Sequence, residues 1–117
     1  MTDASQELTP YLTVVFSRKP RSVTAIDVRS LTSYTDMLII VEAGSLRQVT
    51  SLAENIVTQL KAQNIQPLGT EGIKEGEWAL LDYGSRIIHI FETKAKAFYD
   101  LEGLWSDAPR LDLSEFE

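Results

Sequence analysis

Asp36-Met37-Leu38-Ile39-Ile40-Val41-Glu42-Ala43-Gly44-Ser45-Leu46-Arg47-Gln48-Val49 is the stretch on which the fold turns. From Asp36 to Val41 it is a short apolar run without alternation, which marks a strand covered on both faces. Gly44 and Ser45 break the run and open a helix. Ser45 and Gln48 have capping-box spacing, which lets the hydroxyl accept the N–H three residues on. Val49, Leu52, Ala53, Ile56, Val57 and Leu60 then recur at helical spacing, one apolar stripe that should end near Asn64, before Pro67. Together with the apolar segment around Ile65 to Leu68, strand and helix predict a β-α-β unit. A right-handed crossover lays that helix on one sheet face.

On the N-terminal side, Val23 to Val28 alternates as a first strand, and Leu31 to Thr35 is a polar connection. Thr9-Pro10 has the form of an N-cap followed by proline in the first turn, with Leu12, Val15 and Phe16 at helical spacing up to Pro20. The β-branched Thr13, Val14 and Val15 suit a strand equally well.

On the C-terminal side, Trp78 to Tyr83 and Arg86 to Phe91 form a hairpin around the two-residue connection Gly84-Ser85. That register sets Trp78 opposite Phe91, Leu80 opposite His89 and Tyr83 opposite Arg86. One face then carries Ala79, Leu81, Ile88 and Ile90, which is ordinary core. The other carries Trp78, Leu80, Asp82, Ile87, His89 and Phe91, aromatic and polar together, and is the candidate contact face. A short helix from about Thr93 should point Phe98, Leu101, Leu104 and Trp105 largely one way, and Pro109 begins a loose tail.

These elements predict a single α/β (α+β) domain, a mixed five-stranded sheet flanked by helices. Residues 1–22 supply an N-terminal helix and linker, 23–108 the domain proper, and 109–117 the tail. A chain of 117 residues, 44% of them hydrophobic, can bury one core and has no room for two. No apolar run approaches the roughly 20 residues that span a bilayer, and Met1 to Thr9 is polar, so no membrane contact and a cytoplasmic location are expected. With no cysteine, disulfides, thiolate metal sites and cysteine nucleophiles are excluded.

Residues 1–69 hold six acids and six bases, so the whole net charge of −6 lies in 70–117, where eleven acids face five bases. Such a field repels phosphate backbones and anionic lipids and steers association with a basic surface. Direct nucleic-acid readout is therefore not expected. Trp78, Tyr83, His89, Phe91, Phe98, Tyr99 and Trp105 fall in this same half, mixed with Asp82, Asp100 and Glu102. Rings give contact area at small entropic cost, and carboxylates select a cationic partner.

Catalytic chemistry is thinly supplied. His89 is the only histidine, and neither Gly44-Ser45-Leu46 nor Gly84-Ser85-Arg86 has the form of a nucleophile elbow. A strand running into a helix N-terminus at Gly44-Ser45 matches how nucleotidyltransferase folds hold a triphosphate. Those enzymes also carry two carboxylates one residue apart on the next strand for magnesium. Here that strand offers Asp82 alone, flanked at alternate positions by Leu80 and Gly84. An enzyme using Gly44-Ser45 and Asp36 is the competing reading, and turn plus helix cap is the simpler one.

Thr35-Asp36, Gly44-Ser45-x-Arg47-Gln48-Val49, Pro67-x-Gly69-x-Glu71-Gly72, Gly76-x-Trp78-x-Leu80-Leu81-Asp82-Tyr83-Gly84, His89-Ile90-Phe91 and Phe98-Tyr99-Asp100-Leu101-Glu102-x-Leu104-Trp105-x-Asp107-Ala108 follow one another in this order. From about Val23 to Leu111 the chain thereby resembles the ribosomal silencing factor family, also called Iojap or RsfS. The resemblance implies a degenerate nucleotidyltransferase-like fold without enzymatic activity, cofactor or metal. It also implies a protein that binds ribosomal protein number fourteen of the large subunit, blocks joining of the small subunit and represses translation when nutrients are scarce. An assembly role on the large subunit would use the same surface. Carried over by position, Trp78, Leu81, Asp82, Tyr83, His89, Phe91, Tyr99, Asp100, Leu101 and Trp105 form or directly support the contact. A homodimer is compatible with the resemblance. Before Val23 the chain departs from the family pattern, because Tyr11 to Phe16 is shorter and more β-branched than the usual alanine- and leucine-rich helix.

Overall fold

The computed structural model describes residues 7–117. Strands β1 (Ser22–Asp27), β2 (Met37–Ala43), β3 (Gly69–Glu71), β4 (Trp78–Asp82) and β5 (Arg86–Glu92) form one mixed sheet in the order β1-β2-β5-β4-β3. Only β2 and β5 pair in parallel, in the middle, and the other three pairings are antiparallel. Helices α1 (Thr9–Phe16) and α2 (Leu46–Lys61) lie on one face. The short helices α3 (Thr93–Tyr99) and α4 (Leu101–Leu104) cover the other.

The unalternating run of β2 is explained by these two layers. Met37, Ile39 and Val41 join the larger core beneath α1 and α2. Leu38 and Ile40 join a second core with Ile26, Ile87 and Phe91. Stacked helices on both sides leave β2 no polar face, as expected for a central strand.

Helix α2 starts and stops where its residues dictate. The Ser45 hydroxyl accepts the Gln48 N–H at 3.1 Å, and the Gln48 side chain accepts the Gly44 N–H at 2.6 Å. At the other end Asn64 takes a left-handed conformation, φ 64°, with Ile65 N–H bonded to the Leu60 carbonyl and Asn64 N–H to that of Lys61. This 6→1 and 5→2 pair is a Schellman stop. Gly76 holds the loop before β4 against the first turn of α2. Its φ is 72°, and a Cβ there would collide with the Leu46 carbonyl.

The expected β-α-β unit is opened out. The strand after α2 is Gly69–Glu71, not the segment Ile65 to Leu68, and β5 and β4 lie between it and β2. The hairpin that follows outcompetes β3 for the place beside β2, because β5 is longer and buries five consecutive side chains whereas all of β3 is exposed. At the N-terminus the helical reading holds over the strand reading. Tyr11, Leu12, Val14 and Val15 are all buried in the core that α2 lines, and packing overrides their β propensity. The N-cap is Leu8 and not Thr9, with Pro10 in the first turn.

The segment from Pro109, expected to be loose, is docked along the outer edge of β1. Asp27 N–H bonds the Pro109 carbonyl and Leu111 N–H the Ala25 carbonyl, both at 2.9 Å, and Arg110 bridges Ile26. Leu113 is buried in the larger core, and Phe116 stacks on Phe16 of α1 at 6.1 Å. Edge strands with unpaired backbone groups are hazardous, and the tail supplies the missing partner. Leu113→Ala should accordingly lower the unfolding free energy by about 2–3 kcal/mol. An unchanged urea midpoint would mean that the tail does not pack.

Candidate protein-binding surface

Strands β4 and β5 pair in the register Trp78↔Phe91, Leu80↔His89, Asp82↔Ile87 that the hairpin spacing predicts. Positive φ occurs at Gly84 (82°) and not at Ser85, the pattern of a II′ turn. The Asp82 carboxylate steadies that turn by accepting the Gly84 N–H at 2.8 Å. Since side chains alternate, this register sends Trp78, Leu80, Asp82, His89 and Phe91 to the face away from α2.

There the rings meet. Trp78 lies 4.9 Å from Phe91, 5.8 Å from His89 and 4.7 Å from Tyr99, measured between centroids. The Trp78 indole N–H donates to His89 Nδ1 at 3.0 Å. His89 Nδ1 is thus an acceptor, and the ring is neutral with its proton on Nε2. Burial pushes its pKa down to about 4. From Tyr99 the series continues outward to Phe98, edge-on at 5.0 Å. Exposure rises along it from 1% at Phe91 to 45% at Tyr99 and 81% at Phe98.

Helices α3 and α4 are pinned over this face by carboxylates. Glu92 caps α3 by accepting the N–H groups of Lys94 and Ala95. Asp100 ends α3 in a left-handed conformation, φ 45°, and its side chain starts α4 by accepting the Gly103 N–H at 3.1 Å. A Cβ at 103 would displace the Asp100 carboxylate from this cap, so glycine there keeps the cap in place. Glu42 of β2 accepts from Thr93 at 2.8 Å and from Ser22 at 2.9 Å, and these bonds hold its carboxyl below the usual range. Burial works against the charge of Glu102, but hydrogen bonds from Lys96 (2.6 Å) and Thr24 (2.9 Å) outweigh it, and its pKa is lowered. Arg110 of the tail adds a contact at 3.5 Å.

Eight of the ten residues expected to make or support the contact lie on this side. Trp78 touches His89, Phe91 and Tyr99, Leu101 and Trp105 pack on the second core, Asp100 is exposed at the α3–α4 corner, and Asp82 marks the hairpin end. Leu81 and Tyr83 are on the opposite face. Leu81 is wholly buried, and Tyr83 packs edge-on against Tyr11 with its hydroxyl pushed up to about 12 by burial. These two can only back the surface from behind. His89 and Phe91 are likewise buried and act as its floor.

The expectation of one helix pointing Phe98, Leu101, Leu104 and Trp105 together is corrected. The break at Asp100 turns Leu101 and Trp105 inward and leaves Phe98 and Leu104 (74%) exposed. Periodicity alone misses this. Asp100-x-x-Gly103, an N-cap residue with a glycine at the position whose N–H it accepts, was the available signal.

A family model described as "Ribosomal silencing factor during starvation" matches residues 2–117. The chain belongs to this family. It is 36% identical to the ribosomal silencing factor RsfS of Haemophilus influenzae over 88 residues, 75% of this chain and 86% of the relative. To the RsfS of Bacillus subtilis it is 32% identical over 96 residues, 82% and 81% of the two chains. A solved protein from Chromobacterium violaceum superposes with a TM-score of 0.83 at 28% identity, covering 90% of this chain and 88% of the other. The Haemophilus influenzae and Bacillus subtilis relatives carry the name of a silencing factor and not of an enzyme.

Gly44-Ser45, which with Asp36 pointed to a nucleotide, is a turn and a helix cap whose Gly44 N–H and Ser45 hydroxyl are both bonded to Gln48. Among the described residues no group of three or more His, Asp or Glu is placed to hold a metal ion, and no helix is long and apolar enough to cross a membrane.

The low pKa of His89 has a readable consequence. The unfolded chain takes up this proton near pH 6.5 and the folded one only near 4. Full stability is therefore present above pH 6.5 and falls as pH drops towards 4, by about 3 kcal/mol in all. Between pH 6.5 and 5 Glu42 and Glu102 stay largely ionised folded or unfolded, so His89 dominates that window. His89→Gln, which keeps an acceptor for Trp78, should flatten the slope of the urea midpoint between pH 5 and 6.5, and an equal slope in both proteins would refute the assignment.

Proposed function

We propose that this chain silences translation by binding ribosomal protein number fourteen on the large subunit and obstructing its joining with the small subunit. Membership of the silencing-factor family supports the ribosome as partner. What carries the reading to a particular face is the assembly of Trp78, Tyr99 and Asp100 on one rigid side of the sheet, in the half of the chain that holds the whole net negative charge. Rings braced from behind by Phe91 and His89 lose little entropy on docking, and the surrounding carboxylates favour a basic protein over RNA.

No chemistry is required of such a protein. A domain of this size, with axes of 38 × 33 × 27 Å, fills a gap that the other subunit needs. Its effect is then that of a competitor, set by its affinity and its concentration relative to the small subunit.

Co-sedimentation with purified large subunits tests the face. Tyr99→Ala should weaken binding about tenfold, as loss of a half-exposed ring anchor does, while keeping a single cooperative thermal transition. Asp82→Asn, which removes the charge but keeps an oxygen for the Gly84 N–H, should weaken it most at low salt, while Tyr83→Phe, on the far side, should leave it unchanged. Undiminished pelleting of both the Tyr99 and Asp82 variants removes this face from consideration.

A further inference from the structure

The ring series ends in a groove whose lining includes none of the expected contact residues. Its walls are Phe98 of α3 and Leu46 at the start of α2, exposed by 81% and 52%. Glu75, Glu77 and Glu92 line it with Lys94, enclosing about 440 Å³. Glu92 is committed to capping α3. Glu75 and Glu77 make no ion pair or side-chain hydrogen bond among the described residues.

The groove is built and not incidental. Gly76, between the two glutamates, is buried with φ 72° and sits so close to the Leu46 carbonyl that no side chain fits. A further hydrogen bond, Gly76 N–H to the Gly72 carbonyl at 3.1 Å, fixes the same loop. On the other wall Phe98 is braced through Tyr99 and Trp78 to buried Phe91. An exposed phenylalanine held this way forfeits little freedom when something packs on it.

We infer that this groove receives an arginine-bearing segment of the protein partner, the guanidinium lying on Phe98 and reaching the Glu75 and Glu77 carboxylates. The chemistry selects that occupant. A purely apolar segment would bury two carboxylates without partners, and an acidic one would meet like charge. Arginine offers a flat cation for the ring, a fork for the carboxylates and an aliphatic stem for Leu46, and it sheds water more readily than lysine. The inference deepens the silencing proposal by naming partner chemistry at an extension of the same surface, and for the ribosome as source it rests on that proposal.

Two measurements on the full chain separate the two ideas. In a 1H–15N titration with a short Gly-Arg repeat peptide, amide shifts should concentrate at Leu46, Glu75 to Glu77 and Phe98. They should vanish in Phe98→Ala and in the Glu75→Gln/Glu77→Gln double variant, be weaker with a Gly-Lys repeat and be absent with a Gly-Glu repeat. Shifts centred elsewhere, equal shifts with the Gly-Glu repeat, or the same shifts on concentrating the protein alone, which would mean a second copy in the groove, overturn the inference. In co-sedimentation with large subunits, Phe98→Ala should cost roughly tenfold in affinity, and the double glutamine variant should flatten the salt dependence. Wild-type binding matched by both variants overturns the groove, whereas peptide binding without any wild-type co-sedimentation overturns the ribosomal reading and leaves the groove standing.

Discussion

The register of β4 against β5 is the constraint on which the surface depends. Side chains on a strand alternate with period two, so a slip of one residue would send Trp78 under α2 and bring Ala79 and Leu81 to the outside. Three things prevent the slip: the tight turn at Gly84, the Asp82 carboxylate that holds it, and the N–H groups of Asp36 and Met37, which both bond the Ser85 carbonyl. The turn is thus tied to the start of β2 as well as to its own hairpin. The parallel pairing of β2 with β5 then places that hairpin in the middle of the sheet, with cores on both sides.

Given that register, the second layer is organised by a few charged side chains. Helices of seven and four residues have almost no stability of their own. They stay in place because Ala95, Leu101 and Trp105 bury apolar surface against the second core and because Glu42, Glu92, Asp100 and Glu102 satisfy their backbone ends or tie them to β1, β2 and the tail. Each of these carboxylates has a named structural partner. Glu75 and Glu77, by contrast, are left facing water, and so a region crowded with acids divides into those that hold the fold and those free to meet another molecule.

Much of this was legible in the residues. The unalternating run of β2, the Ser45 cap, the stripe of α2 and the Gly84 turn each have a local physical cause, and the residues place the boundaries of all four within three residues. What escaped was decided at a distance. Nothing local to Gly69–Glu71 says that two later strands will stand between it and β2. Nothing in Pro109 to Phe116 says that β1 will have a free edge for it to cover. Phe98 and Leu101 look alike in a helical pattern, and only the left-handed turn at Asp100 turns one outward and the other in.

The sequence by itself determined which residues share a strand face or a helix stripe, because periodicity and turn chemistry act over a few residues and need no partner. It also determined the family, through motifs whose spacing survives in the residues. Tertiary structure alone decided which of those faces is covered and by what, since burial is a competition among all elements for one sheet. By that competition the tail went onto β1 and Phe98 to the rim of an open groove.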